Sequence, residues 1–248
     1  MLDHVTMNQA RELKLFGMLQ ALEDIDKNEA LHELTFMQGL GLLMSHEVDY
    51  RQNKRLARLL AKAKLRYPSA MVEDINFEHK RAIAPEQLRW LISGEWLLKH
   101  QNIILEGKTG IGKTYLACAC ASLACRKGIS TRYFRLSKLL EAMRIAQADG
   151  SYGRFTSSLL KVKCLVIDDW GIEPICPERR SNLLEIIDDQ YDQRSVVIAS
   201  QLPVERWHDY IGDQTIADAL LDRIVHQAKL FKLQGESMRK KVDSNRSL

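Results

Sequence analysis

Apolar residues recur at helical spacing from Met1 to about Leu43. Leu13, Phe16, Leu19 and Leu22 form one set, and Leu34, Met37, Leu40 and Leu42 or Leu43 form a second beyond the polar break Asp26-Lys27-Asn28. This predicts helices whose apolar faces pack together. A further helix, roughly Glu47 to Tyr67, gathers Leu56, Leu59, Leu60 and Ala63 on one face and Arg51, Lys54, Arg55, Arg58 and Lys62 on another. Pro68 closes it, because proline lacks the N–H donor and disfavours helical geometry in the residue before it. Residues 68–84 then read as a linker, and Pro85 opens a helix in which Leu88, Trp90, Leu91, Trp96 and Leu97 supply apolar surface. Trp90 and Trp96 read as core, while Phe77 or Ile83 is placed to border a ligand.

Beyond that helix the pattern changes. Short apolar runs, Ile103-Ile104-Leu105, Ser130 to Phe134, Cys164 to Ile167 and Ser195 to Ala199, alternate with amphipathic stretches at Tyr115–Arg126, Leu136–Ala146 and Glu178–Gln193. Strand and helix in alternation predict an α/β core with a central parallel sheet. The organisation read from this is a helical N-terminal domain over 1–67, a linker over 68–84 and an α/β domain over 85–248.

The first candidate chemistry lies where the first of these strands ends. Gly107-Lys108-Thr109-Gly110-Ile111-Gly112-Lys113-Thr114 has the spacing G-x-x-x-x-G-K-[ST] between an apolar strand and a good helix former. Its glycines let successive N–H groups point at a di- or triphosphate, and the following helix adds its positive dipole end. Lys113 is positioned for the β- and γ-phosphates and Thr114 for Mg²⁺. The implied cofactors are therefore a nucleoside triphosphate, which the family resemblance below makes ATP, and Mg²⁺.

Cys164-Leu165-Val166-Ile167-Asp168-Asp169 is a buried strand with carboxylates at its C-terminal end, where open α/β sheets bind ligands. In this Walker B arrangement Asp168 holds the metal and Asp169 orients or deprotonates the attacking water. An aspartate at the second place is one methylene shorter than glutamate, so slow or partner-dependent hydrolysis is expected. Ser200-Gln201 ends the Ser195–Ala199 strand, either as a γ-phosphate sensor or as a plain strand-end turn.

The 248 residues carry a formal charge of +4, but the segment Arg51 to Arg66 alone holds seven basic residues and no acidic one, leaving −3 for the rest. With no acid inside the segment to pair with, a nucleic-acid backbone is favoured over a merely solvated face. Five cysteines and no recognisable signal peptide point to a reducing cytoplasm. Cys118, Cys120 and Cys125 read as buried small hydrophobes rather than metal ligands. No apolar run approaches the ~18 residues of a membrane span, so no membrane partner is expected.

The order of phosphate loop, Asp-Asp strand and Ser-Gln strand end resembles the AAA+ superfamily. From Asp168 onward, Ile167-Asp168-Asp169-Trp170-Gly171, Ser200-Gln201-Leu202-Pro203, Gly212 to Arg223 and Gly235-Glu236-Ser237-Met238-Arg239 resemble the IstB family, helper ATPases of insertion sequences related to the helicase loader DnaC. The resemblance covers nearly the whole chain and implies a P-loop three-layer core with a small all-α N-terminal domain. It implies Ser200 or Gln201 as sensor 1, Arg239 as sensor 2, and Arg223 as the arginine that a neighbouring subunit inserts into the ATP site. Arg179, Arg180 and Arg194 are rivals for that role. The implied partners are double-stranded DNA, a cognate transposase and further copies of the chain in a ring or helix. DNA contact falls to Arg51, Lys54, Arg55, Arg58 and Lys62, with Lys138, Arg144 and Arg154 facing the inside of the assembly. A helicase loader is the alternative within DNA metabolism. A small-molecule kinase or a non-hydrolysing DNA scaffold are the alternatives outside it.

Overall fold

The protein is described by a computed structural model covering residues 4–27, 34–75, 83–189, 191–235 and 238. It divides into two compact units, Met1–Arg58 and Leu59–Leu248.

The first unit contains α1 (His4–Glu12), α2 (Phe16–Lys27) and most of α3 (Phe36–Ala63). The apolar set around Met37–Leu43 and the basic stretch after Glu47 belong to one 28-residue helix rather than two, because no glycine or proline lies between Leu43 and Glu47 to break it. The predicted facing stripes are only partly realised. Leu19 and Ala21 are buried, but Leu13 and Met37 are exposed. What joins α2 to α3 is polar: the buried Glu47 carboxylate accepts from the Gly17 N–H (2.7 Å) and the Met18 N–H (3.2 Å), two first-turn donors of α2 that no helical carbonyl can reach. Gly17 permits this close approach, since a Cβ there would run into the His46 carbonyl and the Glu47 Cα.

In the second unit Lys64, in the left-handed region (φ 53°), ends α3 four residues before Pro68. The stretch after it lacks regular structure, yet Ala70, Val72 and Ile75 are buried, so the described part of the expected linker is packed. The helix opened by Pro85 is broken at Gly94 (φ 68°) into α4 (Pro85–Ser93) and α5 (Glu95–Leu98). Trp96 is fully buried, its indole N–H donating to the Leu91 carbonyl (3.1 Å).

The core follows as β1 (Asn102–Glu106), α6 (Lys113–Arg126), β2 (Thr131–Arg135), α7 (Leu136–Ala148), α8 (Tyr152–Leu160), β3 (Cys164–Trp170), α9 (Pro177–Asp188), β4 (Ser195–Ser200), α10 (Trp207–Ile211), α11 (Gln214–Val225) and β5 (Ala228–Lys232). The five strands pair in parallel in the order β2-β3-β4-β1-β5. Alternation of side chains across the strands divides the core in two. Ile104, Leu165, Ile167, Val196 and Ile198 join the inward faces of α7, α9 and α11, and α6 is buried over most of its length. The predicted α/β class with a central parallel sheet is the observed one. β5 was not among the predicted strands, because its run Ala-Lys-Leu-Phe-Lys alternates with lysines as an edge strand does.

Candidate functional site

Every strand of a parallel sheet points its carboxyl end the same way, so the loops after β1, β3 and β4 converge there. The phosphate loop leaves β1 beside β4, with the Gly107 N–H donating to the Ser200 carbonyl (3.2 Å). Gly107 runs so close to the chain after β5 that a Cβ would lie 2.7 Å from the Leu233 carbonyl oxygen. Gly112 enters α6 at φ 99°, a backbone that an L side chain rarely adopts. Lys113, nearly buried, curls over the loop, its ammonium donating to the carbonyls of Gly107 (2.6 Å) and Lys108 (2.8 Å). Ile111 is buried beneath the loop and anchors it to the core.

A cavity of about 430 Å³ opens over the loop. Its polar lining is Arg66, Asp74, Thr109, Lys113, Thr114, Asp169 and Gln201, and its less polar lining is Tyr67, Ile75, Tyr115 and Met238. The structure therefore brings together the loop, the second carboxylate and Gln201. Ser200, by contrast, is fully buried, its hydroxyl accepting from the Leu202 N–H (3.0 Å) and donating to the Leu202 carbonyl (2.7 Å). Of the two sensor candidates, Gln201 is the one on the cavity wall. Ile83 and Trp90 do not line the cavity, and Trp90 instead packs on Phe231 with the Lys229 ammonium 4.4 Å over its ring. Phe77 and Arg239 lie outside the described residues.

The two carboxylates are separated by a kink in their strand. Ile167 pairs with Ile198 and Trp170 with Ser200, so β3 carries one extra residue, and Asp169 sits there at φ 60°. Such a bulge re-aims a side chain beside a site. Asp168 stays on the face it shares with Tyr133, is 1% exposed, and accepts from the Tyr133 hydroxyl at 2.7 Å. Burial, and then the Asp168 charge, push the Tyr133 phenol far above its ordinary range, so the donor is always protonated. Asp169 turns to the cavity and pairs with Arg135 (3.5 Å). Partial burial and the neighbouring Asp168 raise its carboxyl above the usual range, against the pull of Arg135, Arg66 and Lys113. Thr114 and Asp169 line the cavity, whereas Asp168, the carboxylate expected to hold the metal, does not. Hydroxyl and carboxylate oxygens are the donors that suit Mg²⁺, an ion that keeps several waters and takes one or two carboxylates plus substrate phosphates.

Tyr133 and Arg135 carry no motif, although Arg135 at the carboxyl end of a parallel strand had a positional signal. Tyr115 follows Thr114 directly, Met238 lies inside the Gly235–Arg239 run, and Tyr67 had no local signal at all.

Arg223 lies far from this cavity. It is in the last turn of α11, and its carbonyl accepts from the Asn102 side chain (3.0 Å) at the amino end of β1, whereas the phosphate loop leaves the carboxyl end. The five residues of β1 put about 13 Å between the two ends. Its guanidinium pairs with Asp188 and donates to the Ala219 carbonyl (3.0 Å). Among the rivals, Arg194 is buried and donates to the Ile186 carbonyl, with its pKa drawn down to about 10 by burial, so it is part of the core. Arg180 holds the Gly212 carbonyl (2.9 Å), and Arg179 faces Glu141 (3.8 Å).

The basic face of α3 is exposed at Arg51, Lys54, Arg55, Arg58 and Lys62. Arg51 has an acidic partner after all, since Glu47 one turn earlier accepts from it at 2.6 Å. Lys54 lies 5.5 Å over the Phe16 ring. Lys138, Arg144 and Arg154 are exposed, but Arg144 is not free, because Glu141 binds it twice (2.8 and 3.1 Å). The cysteines of α6 are buried, and burial raises the thiols of Cys118, Cys120 and Cys125. No helix among the described residues is long and apolar enough to cross a membrane.

Comparison with known proteins agrees with this geometry. The model of the family described as IstB-like ATP binding protein matches residues 8–246. An insertion sequence ATP-binding protein of Sinorhizobium fredii, y4pL, is 40% identical over 240 residues, 97% of this chain and 98% of its own. The ATP-binding protein of insertion sequence IS1162 from Pseudomonas fluorescens is 43% identical over 203 residues, 82% of this chain and 88% of its own. Among solved structures, the DnaC helicase loader superposes with a TM-score of 0.54 at 20% identity, over 68% of this chain and 99% of that one. AMPPCP-bound DnaA from Aquifex aeolicus gives 0.55 at 19%, over 72% and 55%. With a phosphate loop, a paired-carboxylate strand and a five-stranded parallel sheet that superposes on these two structures, the chain belongs to the IstB-like ATP-binding protein family and has the AAA+ ATPase fold.

Proposed function

We propose that this protein is the ATP-driven, DNA-binding helper of an insertion-sequence transposase. With ATP bound it assembles on double-stranded DNA into a ring or helix of identical subunits, recruits the transposase and delivers the target. Hydrolysis resets the assembly. The observation that carries this reading is the placement of Arg223 at the opposite end of the sheet from its own phosphate loop. A cation so placed cannot reach its own ATP; released from Asp188 it would act on a neighbour's, and an arginine finger is worth about 10³–10⁵ in rate. The names of the relatives, insertion sequence ATP-binding proteins, support the transposition context.

Within the site, Lys113 and the loop N–H groups hold the β- and γ-phosphates, and Gln201 contacts the γ-phosphate. Thr114 and Asp168 would hold Mg²⁺, which would supply neutralisation of phosphate charge. Asp169 takes up the proton of the attacking water once it leaves Arg135, and its raised pKa favours that role. DNA contact falls to the exposed basic face of α3 and, on the inside of the assembly, to Lys138, Arg144 and Arg154. These are phosphate contacts, so affinity depends strongly on salt and little on sequence.

The test is ATP turnover per subunit across a range of protein concentrations, with and without duplex DNA. Turnover that rises with concentration, and does so at lower concentration with DNA, is expected. Turnover independent of both, with transfer of phosphate to a small hydroxyl compound, would identify a kinase instead.

A further inference from the structure

One cation on the cavity wall belongs to none of the recognised motifs. Arg66 lines the cavity together with Lys113, Thr114 and Asp169. It arrives there by local geometry: α3 ends at Ala63, Lys64 turns the chain at φ 53°, and Leu65 is buried. The Arg66 and Tyr67 backbone lies against Cys118 on α6. The Tyr67 ring lies 6.1 Å from that of Tyr115, the residue after Thr114, and 5.7 Å from the Arg66 guanidinium. The segment is therefore fixed on the helix that carries the phosphate loop.

Among the described residues the Arg66 guanidinium has the Tyr67 ring beside it but no ion pair. Asp169 is already paired with Arg135. Burial works against its charge, but the fields of Tyr67, Tyr133, Asp168 and Asp169 outweigh that and raise its pKa. It is a permanent cation in a cavity that already holds Lys113, and it feels the field of Asp169. An unpaired guanidinium beside a triphosphate site can take two phosphate oxygens at once.

We infer that Arg66 binds the terminal phosphate of the nucleotide in the same subunit, so that the site distinguishes triphosphate from diphosphate through a residue three positions after the basic helix. This rests on the ATP-binding reading above. It also differs in kind from Arg223, which acts on a neighbour's nucleotide.

The test uses the full chain and isothermal titration with AMPPCP and with ADP, each with Mg²⁺. The wild type is expected to prefer AMPPCP. Arg66→Ala is expected to lose about tenfold or more of AMPPCP affinity while ADP affinity changes by less than about twofold. Arg66→Lys, which keeps the charge but not the fork, is expected to fall between them. Equal losses for both nucleotides, no loss for either, or a wild type without preference would overturn the inference. If Arg66→Ala does not fold, Arg66→Lys decides alone, and an unchanged AMPPCP-to-ADP ratio refutes the role. Lys113→Ala separates the two levels: a wild type that binds neither nucleotide defeats the ATP reading itself. Binding that is lost in Lys113→Ala, with no selective effect at Arg66, defeats only the inference.

Discussion

Replacing Tyr133 by phenylalanine removes one oxygen and leaves the ring, so its consequences isolate a single hydrogen bond. In the wild type that hydroxyl donates at 2.7 Å to an Asp168 carboxylate that is 1% exposed. A hydrogen bond to a charged group contributes about 1.5–3 kcal/mol, and here the acceptor is left behind without its donor in a place water scarcely reaches. For a unit of this size about 2 kcal/mol corresponds to a fall in melting temperature of about 4–8 °C. Tryptophan fluorescence reports it directly, because Trp170 follows Asp168 by two residues and stacks on Trp207 with ring centres 4.9 Å apart. Function should suffer more than stability. The same bond fixes the orientation of the carboxylate assigned to Mg²⁺, so the variant is expected to need about tenfold more Mg²⁺ for half-maximal ATP turnover. A melting temperature within about 1 °C of wild type, together with an unchanged Mg²⁺ dependence, would show that Tyr133 neither supports nor orients Asp168.

Two further perturbations probe the N-terminal residues. Glu47→Gln should destabilise the first unit by about 1 kcal/mol at neutral pH, read as faster hydrogen exchange at Gly17 and Met18. Although burial opposes it, the hydrogen bonds from Arg51, Met18 and Gly17 hold the Glu47 carboxyl below its usual range. Its stabilisation is therefore complete above the unfolded pKa and is lost as pH falls through the folded one, and the Gln variant should lack that acid dependence; an identical acid profile would refute the capping role. Neutralising Arg55, Arg58 and Lys62 together should weaken duplex binding and reduce the slope of log affinity against log salt by up to about 3. An unchanged slope would return that face to a solvated surface.

The phosphate loop and the Asp-Asp strand were legible because each is a contiguous run whose chemistry is fixed by local spacing. β1, β3 and β4 were legible because buried parallel strands are continuous apolar runs, and β2 because its β-branched and aromatic residues favour a strand. β5 was not, since lysines interrupt it at an edge. The single long α3 was hidden by a change in which face is apolar, from one set in its first half to another after Glu47. Tyr133 and Arg66 could not be read as site residues, and Arg135 only by its place at a strand end, because what makes them so is adjacency in space. Tyr133 meets Asp168 across paired strands, Arg135 meets Asp169 only because β3 is bulged, and Arg66 reaches the cavity through the packing of residues 64–75 on α6. Conversely Ser200, half of a recognised motif, is used up by its own backbone turn.

The central claim is that each ATP site is finished by a neighbour's Arg223. Its most direct test mixes Arg223→Ala subunits, which keep an intact phosphate loop, with Lys113→Ala subunits, which keep the arginine, and follows ATP hydrolysis across mixing ratios. Each variant alone should be nearly inactive, and the mixture should recover activity with a maximum at intermediate ratios. No recovery at any ratio, or an Arg223→Ala protein as active as wild type, would contradict the account.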